Sequence, residues 1–305
     1  MTGDLRRATE ILRASLGDRV RTDFPLAPLT TFRIGGPAAL YLEPESEHDL
    51  AEAGTAIAET GIPFVVLGKG SNVLVADGGF AGLVLRLGRS FRWSARDGST
   101  LTAGGSMPLP ALAGVAQRHG LTGLEFGVAI PATLGGAVWM NAGAHGHHLA
   151  EVVDTVKLFH LREGRSTAMP AADAGFGYRR SSMGEESVVI GARVRLAPGD
   201  AAAIRATMDE VREWRRATQP LAEPNCGSVF TNPQGHHAAR LIEAAGAKGR
   251  RVGGAFVSEK HANFIVAEPG ARAADVARLI EEVRSLVSSS AGVRLEPEVR
   301  LVGSF

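Results

Sequence analysis

Pro63-Phe64-Val65-Val66-Leu67-Gly68-Lys69-Gly70-Ser71-Asn72-Val73-Leu74-Val75 is the stretch whose reading decides the fold. Two short runs rich in β-branched and aromatic residues, Pro63 to Leu67 and Val73 to Val75, flank five small or polar residues, the pattern of a loop held between strands. Gly68 and Gly70 have no Cβ, so a phosphate can come close to the successive backbone N–H groups of Gly68, Lys69, Gly70, Ser71 and Asn72. The loop matches neither common nucleotide signature. Val73 fills the third glycine position of the dinucleotide fingerprint, and Gly70 follows Lys69 where a P-loop needs Ser or Thr. An ordinary glycine turn fits these residues equally well.

Upstream, Asp4 to Leu16 has helical apolar spacing and stops at Gly17, and Ser46 opens a helix that runs to Thr60 and stops at Gly61. Downstream, strands are predicted at Gly82 to Leu87, Phe91 to Ser94, Thr100 to Ala103, Val152 to Leu161 and Val188 to Leu196, with a helix over Pro108 to His119. The texture changes after Pro198-Gly199-Asp200. A helix over 201–217 leads into further helices at His237 to Ala245 and Arg272 to Ser288, with strands at Asn263 to Ala267 and Val299 to Val302. The expected organisation is a lead-in over 1–29, a first domain over 30–197 and a smaller α+β domain over 198–305.

Composition narrows the function classes. The 305 residues carry 33 basic and 32 acidic side chains, a net charge of +1, too little for affinity built on neutralising nucleic-acid phosphates. The one cysteine, Cys226, allows no internal disulfide and is expected to pack as a small apolar group. Asp4, Arg6, Arg7, Glu10 and Arg13 stand where a secretory signal would be apolar, so the expected location is the cytoplasm. Phe126 to Ala150 lacks Asp, Glu, Lys and Arg, but its glycines, Pro131, Asn141 and three histidines suit a ligand cradle better than a membrane span.

Within that cradle, Pro131 suits the first turn of a helix, Thr133 can add a hydroxyl to the exposed donors there, and Gly135-Gly136 let something large lie against it. A tight helix-packing contact is the competing reading of the glycine pair. Tyr178-Arg179-Arg180 sets two guanidinium groups beside a phenol, suited to a carboxylate or phosphate, or to a solvated turn. Ser228 sits between Gly227 and an apolar run, with no G-x-S-x-G elbow to make it an acyl-transfer nucleophile. Glu296 and Glu298 fall two apart, facing one side of an extended segment together with Arg300. His145, His147 and His148 have no metal-ligand spacing, and no metal is expected.

Taken in order, Thr31 to Gly36, Gly68 to Val75, Gly123 to Gly146, Gly177-Tyr178-Arg179, Gly227 to Pro233 and Glu296 to Gly303 resemble the UDP-N-acetylenolpyruvoylglucosamine reductases, over nearly the whole chain from Leu29. The resemblance is to the shorter branch, without an inserted tyrosine-bearing loop, since the only tyrosines are Tyr41 and Tyr178. It implies an α+β chain: an FAD-binding module of the vanillyl-alcohol-oxidase (PCMH) type followed by a substrate-binding domain. It also implies NADPH-dependent, FAD-mediated reduction of UDP-N-acetylglucosamine enolpyruvate; a monomer is expected. The residues it assigns to FAD are Gly68, Lys69, Gly70, Ser71, Asn72, Gly127, Ile130, Pro131, Thr133, Gly135, Gly136, Asn141, Gly146 and Arg300. Arg179 would grip the substrate carboxylate, Ser228 would donate a proton and Glu298 would hydrogen-bond the growing enolate. Tyr178, Asn232, Lys248 and Arg250 would hold the nucleotide. Ala132, His145 and Thr231 depart from the family's glycine, tyrosine and lysine. Two other readings stay open: a flavin oxidase of the same superfamily, and a non-catalytic nucleotide-sugar binder.

Overall fold

The computed structural model describes residues 3–305. The chain forms two compact units, one from the segments up to Thr22, Leu40–Lys69 and Gly82–Glu213, the other from Asp23–Ala39, Gly70–Ala81 and Trp214–Phe305. This interleaving differs from the linear division at residue 198. Its cause is pairing over long sequence distance: Val73–Val75 lies parallel to Arg300–Val302, and Phe32 and Leu74 fill the core of the second unit.

In the first unit, helices α1 (Leu5–Leu16) and α2 (Glu47–Thr60) form as their caps dictate. Asp4 accepts from the Arg7 amide at 2.9 Å, Ser46 accepts from the Asp49 amide at 3.1 Å, and Gly61 ends α2 in the left-handed conformation. Ala8, Leu12 and Leu16 fall on one face of α1 and are buried with Leu50, Ala53 and Ala56 of α2. A five-stranded antiparallel sheet runs in the order Arg165–Pro170, Val153–His160, Ser187–Arg195, Thr100–Gly104, Ser94–Asp97. Helices α3 (Leu109–Arg118) and α4 (Leu134–Trp139) share its core, as does the buried face of α5 (Ala201–Thr218).

Two local expectations are corrected. Phe91 to Ser94 is not one strand: Arg89–Phe91 is a tight helical turn and the strand starts at Ser94. The Glu45 carboxylate accepts from the Arg89 and Ser90 amides at 3.1 and 2.7 Å and so fixes the turn. Pro131 does not open α4. The Ala132 amide donates to the Ile130 carbonyl at 2.8 Å, a three-residue turn centred on Pro131, and Thr133 is the N-cap.

In the second unit, strands Arg251–Val252, Ala255–Val257 and Ile265–Ala267 form an antiparallel sheet. Helices α6 (Ala238–Ala244) and α7 (Ala273–Ala291) share one core with it. Ala273, Val276, Leu279, Ile280, Val283 and Val287 repeat at helical spacing on the buried side of α7, and each large one stabilises the fold by roughly 1.5–3 kcal/mol. Asp77 caps this helix, accepting from the Ala273 and Ala274 amides at 2.8 and 3.1 Å. Asp77→Ala should lower stability by about 1 kcal/mol and Asp77→Asn by less, as thermal melts would register; equal melting temperatures for Asp77→Ala and parent would remove the cap from the account.

Candidate active site

In the first unit two of the expected cofactor glycines, Gly68 and Gly136, approach the same side chain, Thr133. A Cβ on Gly68 would lie 2.7 Å from Thr133 Oγ1, and one on Gly136 would meet only that same oxygen, at 3.4 Å. Thr133 Oγ1 itself accepts from the Gly136 amide at 3.3 Å. Gly68 thus lies close against Thr133, with the exposed Gly136 on the other side of the same hydroxyl. Gly135 and Gly127 do other work: a Cβ would fall 2.7 Å from the Val189 carbonyl oxygen in the first case and 3.2 Å from Leu109 Cγ in the second. These two let α4 lie on the sheet and the 125–129 turn lie on α3, so the helix-packing reading holds for Gly135. Ile130 closes that turn with its amide on the Gly127 carbonyl at 3.2 Å, and Pro131 is exposed. Lys69 is exposed as well.

His145 and Gly146, with φ of 53° and 84°, turn a hairpin that pairs Gly143 with His148 and Ala144 with His147. His147 Nδ1 lies 2.8 Å from Glu151 and His148 Nε2 lies 3.4 Å from it, and the His147 hydrogen bond holds the Glu151 carboxyl below its ordinary range. Against this hairpin sits the Arg179 turn. Gly177 and Arg180 exchange backbone hydrogen bonds of 3.0 and 3.2 Å, which leaves Tyr178 and Arg179 at the tip. Arg179 has φ 55°, a conformation costing a bulky residue of order 1–3 kcal/mol unless its surroundings impose it. Its Nη2 donates to the Gly143 carbonyl at 2.7 Å, and its guanidinium lies 5.1 Å from the centre of the Tyr178 ring. Tyr178 is 56% exposed.

The second unit holds Ser228 and Glu298. Asn225 Oδ1 accepts from the Gly227 amide at 2.8 Å, and Gly227, with φ 79°, delivers the chain to half-buried Ser228. Beyond it, Val229 donates to the Asn263 carbonyl at 2.9 Å, and the buried Asn263 side chain bonds both the amide and the carbonyl of Phe230 at 3.0 and 2.8 Å. The Glu298 amide donates to the Val229 carbonyl at 2.7 Å, which places Glu298 beside the residue that follows Ser228. Glu298 precedes the strand Arg300–Val302 and does not lie on it, because Phe230 bridges Pro297 and draws 296–298 alongside 229–231.

Asn72, expected among the cofactor contacts, braces this carboxyl-bearing residue. Its Nδ2 donates to the Glu298 carbonyl at 3.1 Å, while the Arg300 amide donates to the Asn72 carbonyl at 3.0 Å. Half-buried Ser71 precedes it. Gly70 has φ 66°, and a Cβ there would collide with the Leu29 carbonyl oxygen. Buried Cys226 is no nucleophile: burial pushes its thiol pKa far up, and the Glu298 charge adds to the effect. Asn232 Oδ1 accepts from the Ala238 amide at 2.9 Å and so caps α6. Lys248 pairs with Glu243 at 2.7 Å and Arg250 with Glu282 at 2.8 Å, so a bound phosphate would displace a carboxylate in each case.

Sequence reading missed Asn225 and Asn263. An Asn two residues before a Gly is turn chemistry that could have flagged Asn225; nothing local flags Asn263, whose partner lies 33 residues away.

Residues 38–166 match an FAD binding domain, and residues 219–302 match the C-terminal domain of UDP-N-acetylenolpyruvoylglucosamine reductase. The reductase of Anaeromyxobacter dehalogenans is 48% identical over 97% of this chain and 89% of its own. Reductase 2 of Symbiobacterium thermophilum is 47% identical over 96% of both chains. The crystal structure of the Thermus caldophilus reductase superposes with a TM-score of 0.80 at 35% identity, covering 93% of this chain and 99% of that one. Fold and family matches thus define an α+β flavin-dependent oxidoreductase with an FAD-binding domain. The chain belongs to the UDP-N-acetylenolpyruvoylglucosamine reductase family, and its reaction is the reduction of that enolpyruvyl nucleotide sugar.

Proposed function

We propose that Arg179, Ser228 and Glu298 carry the protein's part in reducing UDP-N-acetylglucosamine enolpyruvate to UDP-N-acetylmuramate, a step of peptidoglycan precursor synthesis, with FAD and NADPH as cofactors. The Gly68 and Gly136 backbone around Thr133 suits a flavin nucleotide, since neither glycine puts a side chain in its way: a Cβ at Gly68 would crowd the Thr133 hydroxyl and one at Gly136 would project from the exposed start of α4. Lys69, Gly70, Ser71, Gly146 and Arg300 complete the FAD-holding set. When bound, FAD would supply hydride chemistry, with NADPH as the source of electrons and the enolpyruvyl alkene as the acceptor.

The remaining work belongs to side chains. Charge arriving on the alkene spreads into the carboxylate, and a guanidinium held in place before the reaction stabilises it at little reorganisation cost, the role of Arg179. Glu298, in its protonated form during turnover, donates a hydrogen bond to the same developing charge. Ser228 Oγ–H delivers the proton to the ether-bearing carbon. The observation that carries this reading is the 2.7 Å hydrogen bond from the Glu298 amide to the Val229 carbonyl, which brings a carboxyl group and the serine hydroxyl onto adjoining backbone.

Glu298→Ala should slow substrate-driven reoxidation of the reduced flavin by ~10²–10³-fold with NADPH-driven reduction retained, and Glu298→Gln should recover part of the loss. Parent-like reoxidation in Glu298→Ala would remove it from the chemistry. Tyr178, Asn232, Lys248 and Arg250 hold the nucleotide. Since exchanging one surface ion pair for another is worth about 0–1 kcal/mol, neutralising Lys248 or Arg250 should raise the substrate KM up to about fivefold each; an unchanged KM in the double variant would dismiss both.

No helix among the described residues is long and apolar enough to cross a membrane. A cytoplasmic monomer acting on a small nucleotide sugar, supporting cell-wall growth, shape and division, fits a near-neutral chain with one buried cysteine.

A further inference from the structure

We propose that Asn141 is the positioning residue for Arg179, acting through the backbone of the turn that carries it; this rests on Arg179 gripping the substrate carboxylate. Asn141 is 3% exposed and has φ 42°, a left-handed conformation that asparagine tolerates better than other side chains. Both ends of its amide are used. Nδ2 donates to the Gly177 carbonyl at 2.9 Å, and Oδ1 accepts from the Ala150 amide at 2.9 Å. A donor facing a carbonyl and an acceptor facing an N–H fix the orientation of the side chain, because the flipped amide would set like against like.

The Gly177 carbonyl is the oxygen that also receives the Arg180 amide and closes the turn. Arg179 therefore holds its positive φ inside a turn anchored from one side by Asn141. Its side chain is anchored from the same segment, through Nη2 to the Gly143 carbonyl, two residues beyond Asn141. A third fastening, Ser181 Oγ to the Trp139 carbonyl at 2.7 Å, ties the other arm of the turn to the same stretch. Main chain and guanidinium of Arg179 are thus fixed to residues 139–143. Its rotamer freedom is restricted before substrate arrives, which is how preorganisation improves binding and charge stabilisation. A glutamine would reach too far to make both bonds. An aspartate would keep the Ala150 contact but turn an acceptor toward the Gly177 carbonyl.

The test compares the holoenzyme with Asn141→Asp and Asn141→Gly; the glycine accepts φ 42° without strain and guards against failure of the aspartate variant to fold. Both should keep the flavin absorbance spectrum and the rate of flavin reduction by NADPH. The KM for the enolpyruvyl substrate should rise about tenfold, the worth of one hydrogen bond that orders a charged group. In an Arg179→Ala background, Asn141→Gly should add no further change, since the group it positions is gone. Equal effects of Asn141→Gly in both backgrounds would overturn the proposal, as would parent-like KM in both single variants. Loss of flavin with parent-like substrate parameters after reconstitution would overturn it too and return Asn141 to the cofactor contacts. Failure of the underlying reading is seen separately, as an Arg179→Ala enzyme with parent-like KM and reoxidation rate.

Discussion

Ser228→Ala is expected to leave flavin reduction by NADPH nearly intact and to slow reoxidation by the enolpyruvyl substrate ~10²–10⁴-fold, the usual worth of a positioned acid. The surrounding backbone should not move. Val229 and Phe230 are held by Asn263, and Gly227 by the Asn225 side chain, so deleting one hydroxyl leaves every one of those bonds in place. The loss should therefore appear in the oxidative half-reaction alone, with substrate KM close to that of the parent. Equal reoxidation rates for variant and parent, measured anaerobically by stopped-flow absorbance, would take the proton-donor role away from Ser228.

Gly70→Val is expected to yield colourless protein with a lowered melting temperature. A β-branched residue at φ 66° is a genuine conformational outlier, and its Cβ would collide with the Leu29 carbonyl oxygen, so a destabilisation above about 3 kcal/mol follows. The Thr31 amide, which donates to the Gly70 carbonyl at 3.0 Å, would lose its partner as the loop shifts. Gly136→Val provides the contrast. A Cβ there meets only Thr133 Oγ1, at 3.4 Å, so the apoprotein should melt near the parent temperature while FAD is still excluded. Gly70→Val that melts like the parent would contradict the packing account, and Gly136→Val that retains one flavin per chain would move the cradle elsewhere.

The contrast between these glycines also shows what sequence could and could not reveal. The strand-loop-strand around Gly68 to Asn72 was legible because its strands are dense in branched residues, and the Ser46 and Gly61 helix signals are local. The reason for Gly70 was not legible. Chain at Leu29 fills the space that a loop sequence alone leaves open for phosphate. Asn72 likewise reads as a phosphate-loop residue, yet its amide is spent on a carbonyl 226 positions away. Phe91 to Ser94 has strand composition, and the carboxylate of Glu45, 44 residues upstream of Arg89, decides for a turn. Arg179 was identified by motif, whereas its left-handed backbone and its bond to Gly143 depend on a hairpin that only tertiary structure brings to it. The interleaved units share this origin, since the parallel pairing of Val73–Val75 with Arg300–Val302 joins segments more than two hundred residues apart in sequence.

One anaerobic titration separates an enolpyruvyl reductase from an oxidase. Purified holoenzyme is bleached at the flavin absorbance band with one equivalent of NADPH, and UDP-N-acetylglucosamine enolpyruvate is then added without oxygen. The oxidised flavin spectrum is expected to return in full with one equivalent of UDP-N-acetylmuramate formed, and its return in Ser228→Ala to be slowed by orders of magnitude. Colour that stays bleached until oxygen is admitted would contradict this and would favour a flavin oxidase.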